Sequence, residues 1–478
     1  MSKEQRNLPG GYLLDHLYIK PYSGLRPNEE LKEVFLEFNI HESLFHPYGI
    51  YGDIIMNDAI NFMKYVPIIG EEFLNIFFKS SSDDQFGKLR QLPISGIEKQ
   101  APISSNTQAY IINFISPLLF NNRINRVIRS YKDQTPHGII DDIYGDFLAE
   151  GSVSSIGPEP DAVIEETENS IDCIIPNWYP LDAMCWIAER AINKKGNADY
   201  LIYETYKTGF NFRSIDSLLE QDSKGTLTYE PSGGSQNRIN DSTRIIKDFP
   251  IRRYKIIKSN DSKMNRHEGM MKSKIVTHDM VNKTIGGLSQ TNDDGEEIKY
   301  RWNYDEDFRK SNHLGKKDQT GATDVGFPLL GVPASDTSGG YNYENNVSYH
   351  FKDDSLFPAQ PQDNIFPETY YLNRRSILNQ LNTWVLEVEM LGSTKLSVGD
   401  IVDFKLPSHE ALHGKQVNQP ELEMYSGRYI ITSIRYVFKQ AGLLLAMQLR
   451  KNALSTDYKK LDKLAVDGFE SPDTPKKE

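Results

Sequence analysis

The sequence predicts an α+β fold that is mostly β. Three observations carry this reading. Trp384, Leu386, Val388 and Met390 recur with a period of two around Glu387 and Glu389, short β-branched and aromatic runs are separated by Gly- and Pro-bearing turns, and only four stretches have helical spacing. A chain of 478 residues is too long for one ordinary core, so two to four domains are expected.

From the N-terminus, Gly70–Lys79 and Gln108–Ser116 are aromatic-rich and β-branched and read as strands. Asp58 caps a short helix that must stop before Pro67. Thr135-Pro136 opens a second helix, with Ile139, Ile140, Ile143 and Phe147 on one face. The polar stretch Ser80–Asn106 reads as an insertion or long loop. A Gly/Pro/Ser/acid linker over 151–170 marks a boundary.

Beyond the linker, Pro180 starts a helix that presents Leu181, Met184, Ile187, Ala188 and Ala191, and ends at Lys194, Lys195 and Gly196. Strand Tyr200–Thr205, a turn at Lys207–Gly209 and strand Phe210–Ile215 complete a helix-hairpin unit. From 222 to 368 the chain is turn-rich and polar, which predicts extended strands and loops ordered by partners. A helix over Tyr370–Leu381 leads into the last domain.

There Trp384, Leu386, Val388 and Met390 form one face of a strand. Gly392 and Gly399-Asp400 then turn the chain into Val402, Phe404 and Leu406. Tyr429–Phe438 and Leu443–Leu449 form a hairpin closed at Gln440–Gly442. Strands this short do not bury two faces as an open sheet, so they predict a small antiparallel barrel. The division expected is 1–155, 156–221 (helix plus hairpin), 222–380 (loop-rich insertion with a closing helix), 381–455 (barrel) and a charged tail, 456–478.

Composition excludes several classes. Net charge is −12 and pI about 5.5, a poor balance for gripping phosphate. No run approaches the length of a membrane span, and MSKEQRNLPGGY lacks the apolar stretch of a secretory signal. Cys173 and Cys185 have no metal-finger spacing and read as buried, reduced thiols from a cytoplasm.

Four blocks, in order, resemble the central baseplate hub proteins of contractile-tailed, T-even-like bacteriophages. The first is HESLFHPYGIYGDIIMNDAINFMKYVPIIGEEFLNI, with an Ile-x-Glu-Ser strand, an Asp-Ala helix and a Pro-x-x-Gly-x-Glu turn. The second is the Trp/Pro-led helix and hairpin of WYPLDAMCWIAERA and DYLIYETYKTGFNFRSIDSLL. NRHEGMMKSKIVTHDMVNK is similar to a middle strand of the family, and LGSTKLSVGDIVDFKLP with the strands from Glu423 to Leu454 to its C-terminal barrel. The long polar middle departs from the pattern.

The resemblance implies two tube-like barrels per chain, the first within 1–155. It also implies a non-enzymatic homotrimer joining a six-fold tail tube to a three-fold membrane-puncturing spike. Implied partners are the spike, tube or tube-initiator proteins, the tape-measure protein and the baseplate wedges, with DNA only in transit through the lumen. The implied location is the virion tail baseplate, after synthesis in the host cytoplasm. No catalytic residue, metal or cofactor is expected.

Two other readings stay open. His409-Glu410-Ala411-Leu412-His413 is a literal H-E-x-x-H, which in a zinc peptidase sets two imidazoles on one helical turn with a glutamate to activate water. Pro407 and Gly414 leave room for only a turn or two of helix, so a surface loop between barrel strands is the better reading. The polar middle also suits a tail receptor-binding module. The scattered histidines read as hydrogen-bonded strand or cap residues. The acid pairs Glu71-Glu72 and Asp141-Asp142 read as solvated surface. The aromatics Trp178, Tyr179, Trp186 and Tyr203 read as core.

Overall fold

A computed structural model describes residues 11–20, 29–149, 162–229, 248–286, 367–407 and 422–452, with gaps at 33, 67, 71, 81–89, 105, 260, 271–272 and 423, and short runs between 301 and 352. The fold is mostly β and α+β, and a thirteen-stranded sheet runs through both ends of the chain.

The N-terminal strand set comprises β1 (Tyr12–Lys20), β2 (Phe35–Ser43), β3 (Tyr51–Asp58), β4 (Phe73–Ser80), β5 (Arg90–Ser104) and β6 (Thr107–Ile115). Their order is β1-β4-β5-β6-β3-β2. The set curls until its two ends meet one side chain. The ring of Phe438 lies 5.2 Å from Tyr12 of β1, 5.0 Å from Phe38 of β2 and 4.6 Å from Phe78 of β4. Each such buried ring contributes roughly 2 kcal/mol of burial free energy. The short strand Glu29–Glu30 pairs with β1, and the Leu31 amide donates to the Leu17 carbonyl, so chain continuity spans the gap toward β2.

The expected loop Ser80–Asn106 is corrected in part. Residues 90–104 are β5, paired with β6 and, at its start, with β4. Leu92 and Ile94 are buried while the second half faces solvent, so a polar sequence folds there without an apolar repeat. Residues 81–89 lie outside the described residues. The helix expected to start at Asp58 is only the single turn Phe62–Tyr65, with Asn61 at its N-cap; Asp58 lies ahead of it and its Oδ1 accepts the Ile60 and Phe62 amides.

Next come α1 (Pro117–Ile124), β7 (Val127–Gln134), α2 (Pro136–Ile143), β8 (Ile171–Trp178), α3 (Pro180–Ala188), β9 (Tyr200–Thr205), β10 (Gly209–Ser214) and α4 (Ile215–Glu220). Ile139, Ile140 and Ile143 pack with Leu181, Met184 and Ile187 in a core of their own. The helix at Thr135-Pro136 therefore packs with the hairpin module rather than with the N-terminal strands. α3 stops at Ala188, before the expected Lys194–Gly196, though Ala191 is still buried. Trp178 and Trp186 pack edge-to-face at 5.9 Å against this core, and Tyr203 is buried in the larger one.

The C-terminal barrel closes with six strands, not four. β11 (Ser223–Tyr229) and β12 (Asp248–Ser259), both from the segment expected to be an insertion, join β15 (Trp384–Leu391), β16 (Ile401–Lys405), β17 (Gly427–Lys439) and β18 (Gly442–Lys451). The ring runs β17-β16-β11-β12-β15-β18 and returns to β17. β11 runs parallel to both β12 and β16, so the barrel is not wholly antiparallel. Parallel neighbours need a crossover instead of a tight hairpin, and 230–247 separate β11 from β12. A small sheet of β13 (Ser273–Asp279), the strand pair Thr284–Ile285 and β14 (Val347–Lys352) lies on α5 (Pro367–Gln380), through a core of Ile275, Trp302 and Leu372.

Candidate functional site

The two strand sets are spliced edge to edge. β2 pairs antiparallel with β17 from Ser43↔Ser433 to Glu37↔Lys439, which makes one continuous sheet of two six-stranded units. The register follows from the pattern: Phe38 and Ile40 of β2 and Ile434, Tyr436 and Phe438 of β17 all point into one core. Outside it, Arg435 bonds Glu37 at 3.1 Å and the Asn39 amide oxygen at 3.1 Å.

The splice is locked by the tip of the hairpin module. Tyr206 follows β9, and its amide donates to Glu42 Oε1 at 2.7 Å. Its carbonyl accepts from Arg90 Nη2 at 2.5 Å, and its hydroxyl donates to the Ile76 carbonyl at 3.2 Å. The ring packs on Phe78 at 4.8 Å. Glu42 Oε2 also accepts from Ser397 Oγ at 3.2 Å and the Val398 amide at 3.4 Å. One carboxylate on β2 therefore holds the hairpin module and a loop of the C-terminal barrel at once. Burial pushes its pKa up to about 7, opposed by those donors. Neighbouring Glu204 is likewise raised by burial and accepts the Ile50 amide at 3.0 Å.

Residues that carried the sequence resemblance are joint, turn and cap residues here. Glu42 is the acid of Ile-x-Glu-Ser. Glu72, the acid of Pro-x-x-Gly-x-Glu, accepts the Ile69 and Gly70 amides. Ser214, which ends the Gly-Phe-x-Phe-x-Ser hairpin, caps α4 by accepting from Ser217. Arg90, Tyr206 and Ser397 were not anticipated; nothing in their local pattern marks a contact made across hundreds of positions.

α5 is tied to the same body. Its half-buried Arg374 donates to the Tyr200 carbonyl at 2.8 Å and the Ala188 carbonyl at 3.4 Å. At the other end of the barrel Lys451 is buried, donates to the Met424 and Ser426 carbonyls, and lies near the Trp384 and Tyr429 rings. Burial depresses its pKa to about 7.

Beside the splice lies an open groove of about 690 Å³, running from β3 across to β12. Arg253, Lys255, Arg435 and Arg450 line it against Glu387 and Glu389.

His409, Glu410 and His413 lie outside the described residues. The flanks of that segment meet: the Leu422 amide donates to the Leu406 carbonyl at 2.7 Å, so it leaves and re-enters the barrel at one point. Among the described residues no group of three His, Cys, Asp or Glu is placed to hold a metal, and no helix is long and apolar enough to cross a membrane. Asp142 is bonded to Arg129 and Tyr131 on the surface, and Glu71 lies outside the described residues. His41 stacks on Tyr51 and His137 bonds Thr167. Both cysteines are free thiols, with pKa values pushed by burial to about 11 and about 12.

No protein-family model matches this chain, and no curated protein matches it by sequence. Solved structures do. The tail protein from Neisseria meningitidis MC58 is similar with a TM-score of 0.49 and 10% identity, over 92% of this chain and 97% of that one. The 43 kDa tail protein of prophage MuSo2 from Shewanella oneidensis gives 0.49 and 10%, over 91% and 98%. The E. coli c3393 protein, a type VI secretion system component described as similar to the bacteriophage T4 tail proteins gp27 and gp5, gives 0.40 and 9%, over 94% and 78%.

Proposed function

We propose that the chain is a structural, non-enzymatic component of a phage tail baseplate: a homotrimeric central hub joining a six-fold tail tube to a three-fold spike. The observation that carries this reading is the splice of β2 to β17, which puts two six-stranded units into one sheet. A chain with two such units can present a three-fold face as a trimer and six similar units to a tube. A closing heterologous ring builds such an adaptor, whereas isologous contacts do not. The ordered blocks of sequence resemblance agree with it.

In this reading spike, tube or tube-initiator, tape-measure and wedge proteins are the partners, DNA passes through the lumen, and the chain resides in the virion tail after synthesis in the host cytoplasm. A lumen of negative charge would let phosphate slide without sticking. The groove beside the splice, with four cations against the acids Glu42, Glu387 and Glu389, is then a surface that faces away from the lumen.

Electron microscopy of the purified chain tests the proposal. Averaged particles are expected to be three-fold rings with an axial hole. Compact, single-copy particles without a hole would contradict it.

A further inference from the structure

Lys451 occupies a core position. The inward row of β18 is Leu443, Leu445, Met447 and Leu449, none more than 2% exposed, and Lys451 is the next residue of that row, at 0%. A lysine in such a place ordinarily pairs with an acid or carries its head out to water. This one does neither: it is fully buried, and among the described residues no carboxylate is bonded to it. Its Nζ donates to the Met424 carbonyl at 2.9 Å and the Ser426 carbonyl at 3.0 Å, and lies 5.4 Å from the Trp384 ring and 5.0 Å from the Tyr429 ring.

Both acceptors belong to one turn, 422–426, at the barrel end where Trp384 pairs with Lys451. The turn closes on itself, because the Tyr425 and Ser426 amides both donate to the Leu422 carbonyl. Its three consecutive carbonyls 424 to 426 are then met by side chains of the barrel strands. Lys451 takes the first and third, and the Tyr429 hydroxyl donates to that of Tyr425 at 2.7 Å.

The arrangement suits an amine better than an ammonium. A neutral amine has two N–H donors, and two carbonyls receive them; an ammonium has a third, with no oxygen to accept it. The two rings attract a cation but replace only part of the water it gives up. Burial accordingly depresses the Lys451 pKa to about 7. The titratable groups facing it are Tyr425 of the turn and Tyr429 of β17, and burial keeps Tyr429 neutral. The nearby cations are bonded elsewhere, Arg428 to the Leu219 and Gln221 carbonyls and Arg450 to the Asn382 and Gln448 side chains.

We propose that Lys451 is a proton-sensitive pin: its amine holds the 422–426 turn over the barrel end, and protonation releases that turn locally and uncovers the Trp384 and Tyr429 rings. A released lysine reaches water and binds its proton more tightly than the held one. The held turn is therefore fully favoured above pH 10.5 and loses ground as pH falls to about 7. The inference is independent of the trimeric reading.

The test is hydrogen exchange of the full-length chain by mass spectrometry at pH 8.5 and pH 6.5, expressed as protection factors so that the intrinsic pH dependence of exchange cancels. Residues 422–427 are expected to exchange well ahead of 443–449, which pair on both sides within the barrel. Their protection is expected to fall at least about tenfold from the higher pH to the lower. In Lys451→Met, which continues the apolar row, the same residues should be less protected at pH 8.5 and unchanged by acidification. Protection of 422–427 that ignores pH in wild type, the same fall in Lys451→Met, or release of 422–427 only together with 443–449 overturns the inference. If the variant does not fold, the wild-type comparison of the two segments decides it alone.

Discussion

Tyr206 and Glu42 show how few side chains hold the parts of this molecule in register. Glu42 has no cation among its bonded partners; its three donors are two backbone amides and a serine hydroxyl. Below pH 4.5 it is protonated in folded and unfolded chains alike. As pH rises toward about 7 the unfolded chain ionises first, so stability contributed at low pH is lost across that window. A thermal melt series from pH 4.5 to 7.5 is expected to show wild type losing on the order of 3 kcal/mol more than Glu42→Gln. Parallel curves would show that Glu42 does not titrate there. Lys451 acts in the opposite sense: its depressed pKa gives stability that is present above pH 10.5 and lost as pH falls to about 7, a slope that Lys451→Met should abolish. Gly52 is a backbone case, because a Cβ there would sit 2.1 Å from the Asn39 carbonyl oxygen. Gly52→Ala is expected to cost about 3 kcal/mol by forcing β3 off β2, which denaturant unfolding would read.

At the scale of elements, what was legible in the sequence was what alternates. β15 alternates from Leu386 onward, and β17, although bulged between Ile431 and Ser433, is a continuous β-branched and aromatic run; both were placed closely from residues alone. β12 escaped because its register shifts between Ile251 and Arg253 and again between Ile256 and Lys258, and each bulge resets the alternation. β11 escaped because Leu227 is its one fully buried apolar residue. The joint at Tyr206 could not be read at all, since its partners Glu42, Arg90 and Ile76 are more than a hundred positions away. The barrel boundary has a direct consequence. A fragment of residues 381–455 lacks two of six staves, leaving the β12-facing edge of β15 and the β11-facing edge of β16 unpaired. It is expected to aggregate or remain unfolded, whereas a chain beginning before β11 should show cooperative melting by circular dichroism. A fragment that melts cooperatively as a monomer would mean that β11 and β12 are dispensable.

For the whole molecule, the H-E-x-x-H segment and the spliced sheet lead to different proteins. If the chain is a hub, His409→Ala/His413→Ala assembles as wild type and purified protein holds no stoichiometric zinc by elemental analysis; one zinc per chain, lost in that variant, would favour the peptidase. The most direct test of the central claim is the mass of the full-length chain by sedimentation equilibrium across a range of concentrations. The hub reading predicts a single species of three times 54.7 kDa. A species that stays at 54.7 kDa at every concentration would contradict it.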